Sequence, residues 1–269
     1  MDDSRLNQFA PKPISRIGVN ITACVGRQST VVLATSENSS PFLGYATKVE
    51  HLLKKKYPKR HHHYRFSDFF TFNAEQGSVI DWNDTRNIFA GEDFIVALIE
   101  GLEEEVGNAS SVVMYSMGRQ WGYRDAESFK IWFEKEYDRD FRQCNLAFVL
   151  EQWWWPFTSQ GWGNWAVDLN DQKNGFMFID VFDSAVARTL GDVGKPVCHI
   201  YAGLFSGFFS GLIQKDLSCI EIQCYAMGET YCKFLMGKQD RIDAATFWQT
   251  EGANARDIEK KLHNGEYLG

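Results

Sequence analysis

Three of the six cysteines, Cys219, Cys224 and Cys232, fall within residues 217–234 (LSCIEIQCYAMGETYCKF), with Glu221 among them. A fourth, Cys198, lies upstream at the expected start of a glycine-rich helix, where the helix N-terminus would favour a thiolate and lower its pKa. Three chemistries fit such a group: a disulfide, core filling by buried thiols, or a metal centre. Thiolates with one carboxylate suit tetrahedral Zn²⁺, and four protein ligands would close the coordination shell, making the site structural rather than hydrolytic. Glu221 and Cys224 are three residues apart, so on a regular strand they face opposite ways. Both can reach one ion only if the strand bulges or ends between them.

The second concentration of chemistry-bearing residues is aromatic. WWWPFTSQGWGNW, residues 153–165, carries Trp153, Trp154, Trp155, Phe157, Trp162 and Trp165. These rings suit either a core or dimer interface, or the wall of an apolar cavity for a planar ring system. Read as a strand, three consecutive tryptophans cannot all point inward. His199, next to Cys198, fits either a packed, hydrogen-bonded histidine or a pocket-lining one. No catalytic constellation is evident: G-x-S-x-G, H-E-x-x-H, G-x-G-x-x-G and the P-loop pattern are all absent.

The elements that must position these residues follow from periodicity. Residues 1–13 read as a loose polar arm, 19–25 and 29–35 as strands, and 44–56 as a helix stopped by Pro58. The basic run from Lys54 to Arg65 reads as a solvated helix end or a contact for anionic lipid or an acidic partner. Residues 91–107 predict an amphipathic helix with a Phe94, Leu98, Leu102 stripe, and 126–141 another with Phe129, Trp132, Phe133 and Tyr137 on one side. Between them, Gly118 and Gly122 would let a helix approach a neighbour closely. Residues 175–184 predict a strand, 183–191 a short capped helix, 197–214 the glycine-rich helix, and 217–237 a hairpin turning near Met227–Gly228. Gly203, Gly207 and Gly211 share a face of that helix, suited to packing on the sheet or a second subunit, or to flanking a flat ligand. One or two polar helices close the chain. The order predicts an α+β fold with an antiparallel sheet packed against helices.

Bulk properties narrow the classes. The 269 residues suffice for a large core, and a net charge of −7 argues against non-specific nucleic-acid binding. Residues 1–20 show no secretory h-region, so a cytoplasmic location with reduced thiols is expected. The uncharged segment 196–213 is near the lower length limit of a membrane span, but its His199, serines and glycines favour a buried helix.

The spacing C-x22-E-x2-C-x7-C over Cys198, Glu221, Cys224 and Cys232, with Gly228 and Phe234, resembles the metal motif of the 4-vinyl reductase domain family. The preceding AGLFSGFFSGL and the upstream YSMGRQWGY support the likeness, which covers roughly residues 110–236. The resemblance implies a domain related to vesicle-tethering subunits, with an N-terminal α/β extension at 1–109 continuous with it and a helical tail at 237–269. It implies zinc held by those four residues, with Cys219 left to the core, and a homodimer. It also implies small-molecule binding rather than catalysis. Its stand-alone cyanobacterial members imply a hydrophobic tetrapyrrole held by the tryptophan cluster and His199. They imply as well a role in photosystem assembly or pigment supply, with assembly factors or the thylakoid surface as partners. The alternatives are an enzyme or enzyme accessory in chlorophyll vinyl-group reduction, and a dimeric adaptor without ligand.

Overall fold

A computed structural model describes residues 70–81 and 84–266. The strands expected at 19–25 and 29–35, the helix at 44–56 and the basic run lie outside the described residues.

The centre is a four-stranded antiparallel sheet in the order β4-β5-β7-β6. Its strands are β4 (Asn164–Asp168), β5 (Phe176–Phe182), β6 (Ser218–Gln223) and β7 (Cys232–Gly237). Both faces are covered, and alternation along each strand divides the side chains between them. Met177, Ile179 and Val181 of β5, with Phe234 and Met236 of β7, enter the main core. Phe176, Phe178 and Leu235 enter a smaller one under the C-terminal helices. A sheet buried on both faces needs apolar residues at successive positions, which is why FMFIDVF reads as an apolar run.

The main core is closed by α5 (His199–Ile213), almost wholly buried, which lies against α2 (Ser110–Tyr137). Small residues set that contact. A Cβ on Gly203 would run into the Tyr115 carbonyl oxygen, and one on Gly207 into that of Arg119. From the opposite side, a Cβ on Gly118 would strike the Ile200 carbonyl oxygen and one on Gly122 that of Leu204. The glycine face of α5 therefore packs on a helix of the same chain, not on the sheet, a second subunit or a ligand. No helix among the described residues is long and apolar enough to cross a membrane.

Three differences from the sequence expectations have physical causes. The segments at 111–123 and 126–141 form one continuous helix of 28 residues, because nothing between them breaks it. It ends where Asp138 turns left-handed at φ 51°. In α1 (Glu92–Val106) the expected stripe is rotated: Ile95, Ile99 and Leu102 face the core, whereas Phe94 and Leu98 are exposed. The tryptophan-rich segment begins as a helix, α3 (Leu146–Ser159), and becomes a strand only at β4. Asn145 starts α3 by accepting a hydrogen bond from the Ala147 amide at 2.9 Å. Asn145→Ala is expected to cost about 1 kcal/mol, measured by chemical denaturation.

The remaining described elements are short. A three-stranded antiparallel sheet of β1 (Phe70–Asn73), β2 (Ser78–Asp81) and β3 (Arg86–Asn87) precedes α1, unforeseen in the sequence. Helix α4 (Ala185–Leu190) is capped by Ser184, and α6 (Gln239–Thr250) and α7 (Ala255–His263) cover the second face of the central sheet.

Candidate metal centre and aromatic cavity

Cys198 caps the N-terminus of α5, Glu221 lies on β6, Cys224 follows the end of β6, and Cys232 opens β7. The register of β6 against β7 shifts between Glu221 and Gln223, and β6 then ends. That bulge brings Glu221 and Cys224 to one side, as three-residue spacing requires. The backbone amides of Val193 and Gly194 donate to the Ala226 carbonyl at 2.9 and 2.8 Å, tying the approach to α5 onto the hairpin turn.

All four ligand atoms lie within 4.8 Å of one another, and all four residues are buried. Cys232 Sγ is 3.7 Å from Cys198 Sγ and 3.9 Å from Cys224 Sγ. These distances are far beyond a disulfide bond. They match the ~3.8 Å edge of a tetrahedron with ~2.3 Å zinc–sulfur bonds. The thiols are free. Glu221 Oε2 accepts a 2.8 Å hydrogen bond from the Cys198 amide, which orients the carboxyl, while its buried Oε1 has no partner. A buried oxygen so placed among three sulfurs fits one tetrahedral divalent cation. Zinc held here would supply no open position for a reaction, only a tie between α5 and the hairpin.

The protonation of the cluster points the same way. Burial pushes Glu221 and Cys198 well above their usual ranges, while hydrogen bonds from Cys198 and Cys232 draw Cys224 down to about 2. Cys198 therefore does not gain the low pKa expected of a helix N-terminus, because burial outweighs the helix field. Without a cation one negative charge is favoured in the cluster; a divalent cation would favour more. Cys219 is buried in the core outside this set, as expected.

The tryptophans divide into two groups. Trp154 and Trp165 are core: their rings stack at 4.8 Å, and the Trp154 indole N–H donates to the Gly163 carbonyl at 3.3 Å. Trp155 is half-buried. Trp153, Phe157 and Trp162 instead line a cavity of about 460 Å³ between α2, α3 and the β2–β3 strands. His199, half-buried at the start of α5, does not line it; burial holds its pKa below the usual range.

Sequence reasoning missed the other half of this cavity. Trp121, Asp125, Phe129 and Trp132 project from one face of α2 at helical spacing. On α3, Gln152, Trp153, Pro156, Phe157 and Gln160 do the same. Trp153 is fixed from two sides, stacked on Phe208 at 3.5 Å and donating its indole N–H to the Asp125 carboxylate. Burial raises the Asp125 pKa to about 6, the Trp153 hydrogen bond opposing it and the charge of Asp81 adding to it. Gln152 is 3% exposed; its Oε1 accepts from the Tyr137 hydroxyl at 2.6 Å, and its Nε2 has no partner. The arrangement joins apolar ring faces to a few polar atoms, the usual composition of a small-molecule site.

Several known proteins are similar to this chain. Uncharacterized protein MJ1642 of Methanocaldococcus jannaschii is 36% identical over 56 residues, 21% of this chain and 35% of that protein. The chain thus spans about a third of that relative's length. A vinyl-4-reductase family protein of the same organism has a solved structure with TM-score 0.37 and 15% identity, covering 55% of this chain and 78% of that one. The phenol-responsive sensory domain of the transcription activator PoxR, solved with phenol, superposes with TM-score 0.54 at 20% identity. That match covers 76% of this chain and 95% of the PoxR domain. Residues 177–238, which contain β5 from its second residue, α5 and the whole metal quartet, match the vinyl-4-reductase (V-4-R) domain, and the α+β fold around them is the one the PoxR sensory domain shares.

Proposed function

We propose that this chain is a non-catalytic small-molecule-binding protein, with a vinyl-4-reductase domain stapled by zinc and a hydrophobic ring ligand held in the cavity between α2 and α3. The observation that carries this reading is the cavity itself. Its volume, about 460 Å³, lies in the range of about 300–1,000 Å³ usual for small-molecule sites. Its ring faces come from two helices, and a buried amide donor and a carboxylate share its lining. The phenol carried by the PoxR domain, which shares the fold, gives the ring class independent support.

The finer expectation of a tetrapyrrole serving photosystem assembly rests on the family resemblance. A cavity of this size would enclose one or two fused rings and leave much of a macrocycle outside. We therefore place smaller aromatic rings first and the tetrapyrrole second.

The test is a titration with 2-naphthol, protochlorophyllide and haem, followed by tryptophan fluorescence and calorimetry. Saturable binding of 2-naphthol is expected, weakened about tenfold or more by Trp121→Ala, since a stacked ring contributes about 1–1.5 kcal/mol beyond its burial. Trp121 is only half-buried, so its removal leaves the main core in place. Tight protochlorophyllide binding with none of naphthol would restore the tetrapyrrole reading. Binding of neither would remove the cavity as a ligand site.

A further inference from the structure

We propose that the ligand of this cavity is an aromatic amine, a planar ring bearing a positively charged nitrogen together with a hydrogen-bond-accepting oxygen. The proposal rests on reading the cavity as a ligand site and names the chemical class that it selects.

Three features converge. First, Trp121, Phe129, Trp132, Trp153, Phe157 and Trp162 surround the space with aromatic rings, whose faces attract cations. Second, two carboxylates line the same space. Asp81 is held by the Thr85 amide at 3.0 Å and the Asn87 side-chain amide at 2.9 Å. Asp125 accepts from the Trp153 indole and forms no ion pair among the described residues. The indole is a neutral donor, so the Asp125 charge is oriented without being neutralised. Third, the buried Gln152 Nε2 has no acceptor. A ligand with only a cation would leave this donor unmet, and one with only an oxygen would leave the carboxylate uncompensated.

The other charged residues that line the cavity are Arg86 on β3 and Arg124 on α2, both exposed. The Arg86 guanidinium donates to the Gly77 carbonyl at 2.9 Å. α3 contributes no charged group to the lining. The partly buried Asp125 carboxylate is thus less screened than the two guanidinium groups. Its negative neighbour Asp81 makes a cation between them favourable.

Three probes with the same ring and hydroxyl separate the effect of charge from that of shape: tyramine, 4-ethylphenol and 3-(4-hydroxyphenyl)propionate. Each is titrated by calorimetry into the full chain. Near pH 8, tyramine is expected to bind about tenfold more tightly than 4-ethylphenol, and the propionate most weakly. Asp125 protonates near 6. At about pH 5 the tyramine preference should therefore shrink to about twofold. Asp125→Asn should abolish the preference at all pH values while leaving 4-ethylphenol affinity unchanged, because asparagine still accepts from Trp153. The pH series uses unaltered protein and decides the matter if that variant fails to fold. Equal binding of tyramine and 4-ethylphenol at high pH would overturn the aromatic-amine assignment while preserving the cavity as a ligand site. Binding of none of the three would overturn both.

Discussion

Gly207→Ala is expected to destabilise the protein by about 2–4 kcal/mol, although alanine is the better helix former. In a solvent-facing helix the exchange gains about 0.5–1 kcal/mol. Here the new methyl group would meet the Arg119 carbonyl oxygen on α2, a backbone atom that no side-chain rotation can move aside. The two helices must separate, and separation opens gaps along a face that also includes Gly118, Gly122 and Gly203. For a described domain of this size, the melting temperature should fall by on the order of 10 °C. Two controls frame the result. At Gly211 a Cβ would lie 2.9 Å from the Ala126 Cβ and 3.4 Å from the Tyr123 ring, so adjustable side chains should make that substitution milder. At Gly101, in α1, nothing lies within 4 Å, and alanine should stabilise. Thermal and urea unfolding of the three variants measures the order. Wild-type stability in Gly207→Ala would mean that α2 and α5 do not approach as closely as described.

That helix contact also shows how unevenly sequence discloses structure. The periodic glycines revealed close packing on one face, but not its partner, because glycine spacing records only that something comes near. The central sheet and its hairpin were legible, since Gly228 marked the turn and FMFIDVF was too apolar to be anything but buried. The metal quartet was legible for a different reason. Glu221 and Cys224 needed a local irregularity to converge, and the register shift at Glu221/Gln223 supplies it. The tryptophan segment was misread because indole favours strands in general, whereas the Asn145 cap and the packing of Trp153 on Phe208 favour a helix here. Once that segment is helical, Gln152, Trp153 and Pro156 share a face, and the cavity follows. Asp125 stayed hidden because an acid within a polar helical stretch reads as solvated. Only the packing of α3 and β2–β3 around it changes that. The strands β1 to β3 were missed because four-residue and two-residue strands carry too little alternation to be recognised.

Cys224→Ser is expected to abolish stoichiometric zinc binding and to lower stability by about 4 kcal/mol at free zinc about a thousandfold above the dissociation constant, the contribution mass action gives a folded-state ligand. The loss should be smaller than in zinc-finger peptides, where about 10–16 kcal/mol is gained on metal binding. This chain has its own core on both faces of the central sheet. Chelation should reproduce the effect in the wild type and do nothing further to the variant. The sign of the pH dependence follows from the protonation of the cluster. Burial keeps Glu221 and Cys198 protonated when no cation is present, so zinc must displace protons to bind. Affinity, and the stability that depends on it, should therefore fall as pH falls. Calorimetry in two buffers of different ionisation enthalpy counts the protons released. Cys219→Ser is the matched control: the residue is buried in the same strand as Glu221, outside the quartet, and its loss should cost packing but no zinc. Folded wild type that takes up no zinc after dialysis against it would sink the metal centre. Equal zinc loss in both serine variants would mean that the metal answers to general unfolding rather than to coordination. The four ligands come from a helix start, a strand, the residue after it and the next strand. The predicted consequence of removal is consequently local first, with α5 released from the hairpin, and amide exchange in residues 191–198 and 224–232 should rise before it does in β5.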